Sequence, residues 1–302
     1  MIKTSTLSIF FLLFCGLNAF AADDSALVRL SVAPGQVLEG SPFVVRVLDP
    51  GISRRPTGSF SGRRLSFAPC GQDCYEAIGI APIGMTPGDY SIKINAGQGV
   101  ESLPLRVLKE KFGSQSLTIP PDKVNLSPED EARADAEADE MRALWRKRTE
   151  KLWEGSFIMP LDGEFSTEFG VRRTINKTRL SIHSGVDIRG GYGTPIKAAN
   201  TGVVVMAKDT FYGGNTIILD HGQGVYTVYM HMQEFRASLN QVVTKGETIG
   251  LVGSTGRSTG PHLHYTVKVD RNSASPTAMA ALPLDEPLDV ASHITDDQVH
   301  HE

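Results

Sequence analysis

The stretch Asn215–Met232, NTIILDHGQGVYTVYMHM, sets two apolar runs on either side of HGQG. Both runs are rich in Ile, Val, Thr and Tyr, residues that suit a half-buried pleated surface, and glycines punctuate the turn between them. The stretch therefore predicts two antiparallel strands joined by a tight turn. The same texture extends outward in both directions. TPIKAANTGVVVMAKD (Thr194–Asp209), VVTKGETIGLVGSTG (Val242–Gly256) and HLHYTVKV (His262–Val269) are further strand candidates separated by glycine turns, with almost no helical signal. From Gly155 to residue 292 the expectation is a glycine-rich antiparallel β-sheet domain.

Upstream, the runs ALVRLSV, PFVVRVLD, YEAIGIA, GDYSIKINA and SLPLRVL are separated by PG, EGSP, DPG and TPGD. Short strands at this spacing predict a small immunoglobulin-like β-sandwich over residues 22–108, with nothing catalytic in it and a spacer or positioning role. Between the two β regions, residues 109–154 form a linker with a helix starting at Ser127. Ser127 is a good N-cap and Pro128 suits the first turn. Glu129 and Asp130 favour the positive end of the helix dipole, and Arg142, Arg146, Lys147 and Arg148 the negative end. Five or six turns are expected. The fold class is thus mainly β, with one connecting helix.

The chain has 302 residues, is 40% hydrophobic and 21% charged, and carries a net charge of -4. That composition describes a globular chain and gives no basic signature of nucleic-acid binding. Residues 1–21 read as a signal peptide: Lys3, an apolar LSIFFLLFCGL too short to span a bilayer, then Ala19-Phe20-Ala21 as the cleavage site. The rival lipoprotein signal at Cys15 is disfavoured by Phe14, where a small residue is needed. No later segment is long and apolar enough to span a membrane. Export is expected, to the periplasm first and to the extracellular space as the alternative. The oxidising compartment favours a Cys70–Cys74 disulfide over free thiols or a metal site, since no histidine lies in that half of the mature chain. Residues 293–302 carry no core pattern and read as a tail in which His300 and His301 are incidental.

The chemistry concentrates in a few side chains. SIHSGVDIRGGYGTP holds His183 and Asp187 in an H-x3-D arrangement, and TGPHLHYTV holds His262 and His264 at alternate positions of a strand. Residues i and i+2 of a strand share a face, so the two imidazoles stand together while Leu263 turns into the core. Imidazole and carboxylate are zinc ligands, and three of them with a water describe a catalytic zinc site. His183, Asp187 and one histidine of the H-x-H pair would supply such a set. His231, in TVYMHMQ, is a further polar group on a strand or at its end. His221, in LDHGQG, reads as a turn or supporting residue rather than a ligand.

Taken in order, HSGVDIRGGYGTPIKAANTGVVV, GGNTIILDHGQGVYTVYMHM and GLVGSTGRSTGPHLHYTV resemble the lysostaphin/LytM-type zinc metallopeptidases, which are cell-wall endopeptidases. The resemblance covers roughly residues 157–269. It implies one Zn2+ per chain, with His183, Asp187 and His264 as ligands and His231 and His262 as catalytic partners. No glutamate base is needed in that arrangement. It also implies a groove admitting extended peptide, with peptidoglycan stem peptides and cross-links as substrate. For a periplasmic enzyme the expected bond is D-Ala–diaminopimelate. The alternative is a non-catalytic envelope regulator that activates a cell-wall amidase; such members typically lack zinc ligands, and all are present here. Regulation by an envelope protein, or by the N-terminal region, stays open. The stretch FGVRRTINKTRLSIHSG inserts Arg172, Arg173, Lys177 and Arg179 before His183, either as a groove wall or as a solvated loop.

Overall fold

A computed structural model describes residues 28–285 apart from 50, 52–53, 98, 118–125 and 178. The expected signal peptide and C-terminal tail lie outside the described residues. The architecture is mainly β, as the sequence predicts.

The N-terminal region is a sandwich of two sheets. One has the order Arg29–Ala33, Pro42–Leu48, Cys74–Ile80, Ala68–Gly71; the other runs Gln36–Leu38, Val100–Leu108, Gly88–Asn95, Thr57–Phe60, Arg63–Leu65. Phe43, Val45 and Val47 from the first sheet meet Ile92, Ile94, Leu103 and Leu105 from the second in one buried cluster. A Cys70–Cys74 disulfide closes the hairpin at the edge of the first sheet.

The strand Pro42–Leu48 is buried on both faces, which strict alternation with solvent on one side would not give. Its odd-numbered residues face the sandwich interior. Val44, with Ile78 and Ile80 of the next strand, instead joins the core that contains Trp153, Phe157, Leu263 and Leu284. Arg46 donates to the Pro283 carbonyl at 2.8 Å, and Lys151 pairs with Glu76 at 2.6 Å. The sandwich is therefore fused to the C-terminal region through shared apolar packing and is more than a tethered spacer.

The connecting helix spans Pro128–Leu144, just under five turns. The Ser127 hydroxyl accepts from the Asp130 amide at 3.1 Å. It stops short of the expected length because Leu144 and Trp145 turn inward and pack with Met206, Ile218, Tyr226 and Val228. The Tyr226 hydroxyl donates to the Leu144 carbonyl at 2.8 Å and holds that end. The remaining helix surface is polar and docks through ions, with Arg133 between Glu137 and Asp209 at 2.9 Å each.

Among the described residues, ten strands form the C-terminal sheet. Its main path runs Phe165–Thr167, Val186–Arg189, His262–Val269, Val225–Phe235, Gly214–Gly222, Gly202–Thr210, Val242–Val243. The Asn215–Met232 stretch is the expected hairpin at its centre, with Ile218 opposite Val228 and Asp220 opposite Tyr226. A separate three-stranded sheet stands beside it. It pairs the hairpin Arg172–Ile175/Arg179–Ile182 with the strand Ser114–Leu117 from the linker. The linker strand had no local signal, because its pairing is parallel and some sixty residues away in sequence.

Candidate metal centre

The strand pairing assembles the site. Val186–Arg189 runs antiparallel to the H-x-H strand with Asp187 opposite His264 and Arg189 opposite His262. Gly185 makes this approach possible: a Cβ there would lie 2.1 Å from the Tyr265 carbonyl oxygen. Leu263 is fully buried between its two neighbours, which stand on the other face as alternation requires.

His183, Asp187 and His264 each offer a ligand atom, all within 4.8 Å of one another. His183 Nε2 lies 2.9 Å from Asp187 Oδ1 and 3.0 Å from His264 Nδ1, and His264 Nδ1 lies 2.8 Å from Asp187 Oδ1. The outward ring nitrogen of His183 settles its tautomer. His183 Nδ1 sits 2.8 Å from the Glu168 carbonyl, which can only accept, so Nδ1 carries the proton. His264 Nε2 reaches the Thr266 hydroxyl at 3.0 Å. With that nitrogen donating, the inward atoms are two imidazole lone pairs and a carboxylate oxygen, three acceptors converging with no proton between them. A cation is the group that satisfies all three, and a His2Asp donor set suits zinc.

Asp187 is buried, which by itself raises a carboxyl pKa. When the facing His183 and His264 carry a proton toward it, they more than offset that and hold it well below the usual carboxylate range. Burial pulls His264 down, against the opposing pull of Asp187. The second carboxylate oxygen of Asp187 accepts from Arg173 Nη2 at 3.0 Å. Arg173 belongs to the basic hairpin, so that insertion is a wall of the site. Nothing in the sequence distinguishes Arg173 from Arg172; only the alternation of the strand turns one inward.

His231 and His262 face each other beside this cluster, with ring centroids 4.7 Å apart. His231 interrupts its strand as a bulge with φ +64, which re-aims its side chain toward the H-x-H pair. Its Nδ1 lies 2.9 Å from the Thr255 carbonyl, and His262 Nδ1 lies 2.8 Å from the Gly260 carbonyl. Both carbonyls fix Nδ1 as the donor and leave Nε2 free to face the cleft; His262 Nε2 is 3.9 Å from Asp187 Oδ1. Burial lowers the His231 pKa to about 4, and the neighbouring imidazoles add to the shift while the Thr255 carbonyl opposes it. The Thr255-Gly256 turn can come this close because Gly256 has no Cβ, which would lie 2.2 Å from the Gly214 amide.

Asp187, His231, His262 and His264 open onto a cleft of about 1060 Å3, with His183 buried behind them. Its walls include Gln115 of the linker strand, Arg173 of the hairpin, and Arg257 and Pro261 of the loop before the H-x-H strand. His221 stands apart, fully buried, with Nδ1 2.8 Å from the Thr201 carbonyl and Nε2 2.7 Å from the Thr227 hydroxyl. It is a structural residue.

Fold and site together define a metallopeptidase-type domain, and comparison with known proteins gives the family. Residues 181–276 match the model of peptidase family M23, so the chain carries an M23 peptidase domain. A peptidoglycan DD-endopeptidase of Vibrio cholerae, ShyA, is 40% identical over 113 residues, covering 36% of this chain and 26% of that protein. The DD-carboxypeptidase/endopeptidase Mpg of Neisseria meningitidis is 38% identical over 121 residues, covering 40% of this chain and 28% of its own length. The chain thus spans little more than a quarter of these relatives. A peptidase M23 crystal structure from Pseudomonas aeruginosa superposes with a TM-score of 0.61 at 27% identity, covering 80% of this chain and 94% of that one. That match reaches well beyond the catalytic domain. Among the described residues no helix is long and apolar enough to cross a membrane.

Proposed function

We propose that this chain is an exported zinc-dependent endopeptidase that hydrolyses peptide cross-links of bacterial peptidoglycan. The observation that carries the reading is the convergence of His183 Nε2, Asp187 Oδ1 and His264 Nδ1 as three acceptors beside a paired His231 and His262. His183, Asp187 and His264 would hold the ion. When bound, zinc supplies Lewis acidity, lowering the pKa of a water and polarising a peptide carbonyl.

The remaining chemistry belongs to the protein. Arg173 occupies one oxygen of Asp187 while the imidazoles face the other, so the carboxylate would hold the ion through that second oxygen. His231 and His262 are each locked through Nδ1, so Nε2 is the atom of each that gains and loses a proton. One such imidazole takes a proton from the attacking water and returns it to the leaving amine. Its partner, protonated, donates to the oxyanion. The hairpin and linker-strand walls orient an extended peptide along the cleft. The names of the relatives from Vibrio and Neisseria support a DD-peptide bond, which agrees with the D-Ala–diaminopimelate cross-link. The intact ligand set argues against a purely regulatory role.

The test uses the mature chain, its zinc content and cross-linked muropeptides. Expected are about one zinc per chain and cleavage that a chelator abolishes and His264→Ala removes. Undiminished cleavage in His264→Ala would overturn the metal assignment. Bound zinc with no cleavage, but with stimulation of an amidase, would favour the regulator.

A further inference from the structure

At the far end of the peptidase sheet from the histidines lies a second concave site with no part in the chemistry above. Asp270 follows the end of the H-x-H strand, six residues beyond His264, which at about 3.4 Å per residue places it roughly 20 Å away. There the β-sandwich, the linker and the peptidase sheet meet around a cavity of about 590 Å3. Its lining includes six arginines: Arg55, Arg63 and Arg64 from the sandwich, Arg146 and Arg148 from the linker, and Arg271 from the turn after the H-x-H strand.

Two of these are already matched. Arg148 pairs with Asp270, and Arg55 stands 3.9 Å from Glu150. Arg148 also packs against Gly224, where a Cβ would lie 2.7 Å from its guanidinium carbon, so it is part of the seam. Arg63, Arg64, Arg146 and Arg271 form no ion pair among the described residues, and all four are exposed. Six guanidinium groups against two carboxylates leave the lining with four uncompensated positive charges, in a chain whose net charge is -4. Like charges gathered on a concave surface repel, and the arrangement is relieved by an anion between them. The lining is arginine without lysine, and the planar guanidinium fork matches phosphate oxygens two at a time. A single carboxylate would leave most of the charge uncompensated. A phosphate monoester brings roughly −1.5 to −2 and three acceptor oxygens.

We infer that this cavity binds a phosphate-bearing ligand, clamping the sandwich and linker to the peptidase sheet at a distance from the cleft. The source of the phosphate is either a soluble compound or a lipid headgroup, and the experiment separates them. Inorganic phosphate is titrated calorimetrically into the full chain in low-salt, phosphate-free buffer. In parallel, the chain is sedimented with vesicles containing phosphatidic acid, whose headgroup is a phosphate monoester, and with pure phosphatidylcholine vesicles.

Expected is saturable phosphate binding that weakens at least tenfold in Arg63→Ala/Arg64→Ala, and comparably in Arg146→Ala. All three side chains are exposed, so the variants should melt with the native chain. His264→Ala should bind phosphate as the native chain does, which separates this site from any phosphate at the metal centre and from the fate of the peptidase reading. Arginine-dependent retention on the anionic vesicles assigns the site to a headgroup; phosphate binding without it assigns a soluble ligand. The inference is overturned if neither probe binds, if the arginine variants bind undiminished, or if a carboxylate-bearing stem peptide occupies the site and phosphate does not.

Discussion

Lowering the pH from 7.5 to 5 should destabilise the folded chain by about 2 kcal/mol through His221 alone. Burial holds this imidazole at about 4, against an ordinary value of 6.5, and only the Thr201 carbonyl opposes the shift. Its neutral form is fully used: Nδ1–H donates to Thr201, and Nε2 meets the Thr227 hydroxyl, which is itself bonded to the Tyr229 hydroxyl. The folded pKa is depressed, so the unfolded chain takes up the proton first as pH falls. The contribution is therefore intact above 6.5 and lost as pH drops toward 4, reaching about 3 kcal/mol there at about 1.36 kcal/mol per unit. Urea unfolding followed by tryptophan fluorescence measures it, since both tryptophans, Trp145 and Trp153, are buried against the C-terminal sheet. Other groups titrate in the same window, so the quantity to compare is the pH slope of the native chain against that of His221→Gln. The variant is less stable at pH 7.5 but flatter between 7.5 and 5 by about 2 kcal/mol. Parallel slopes would refute the reasoning and move the acid sensitivity elsewhere.

Three further outcomes follow from packing and charge. Leu263→Ala should cost about 2–5 kcal/mol in the same unfolding assay, because Leu263 is fully buried between the two H-x-H histidines. Gly185→Ala should cost on the order of 2–4 kcal/mol and lower zinc retention on dialysis, since its Cβ must push the Tyr265 carbonyl and with it the Asp187–His264 pairing. Chelation of the bound metal should lower the melting temperature, because three facing acceptors lose their cation; at free zinc a thousandfold above its Kd the loss is about 4 kcal/mol. An unchanged melting temperature on chelation would count against a metal there.

Much of the candidate site was legible in the sequence. A strand has period two, so H-x-H fixes two imidazoles on one face and a core residue between them, whatever the strand pairs with. The glycine-punctuated apolar runs identified the sheet, and the Ser127-Pro128 start identified the helix, because those signals are local. The length of the helix was not legible, since it ends where Leu144 and Trp145 find partners some sixty to eighty residues further on. Arg173, the linker strand and the shared core around Val44 escaped for the same reason.

By itself, the sequence determined the β class, the residue types able to hold a metal and their placement on common faces, all of which depend on backbone period and side-chain chemistry. Only the tertiary structure decided that Asp187 lies opposite His264, that a bulge turns His231 toward His262, that Arg173 closes on Asp187, and that six arginines from three segments share one cavity. Those relations depend on register and on contacts between distant segments. They arise when apolar faces are buried against one another, and a linear pattern does not carry them.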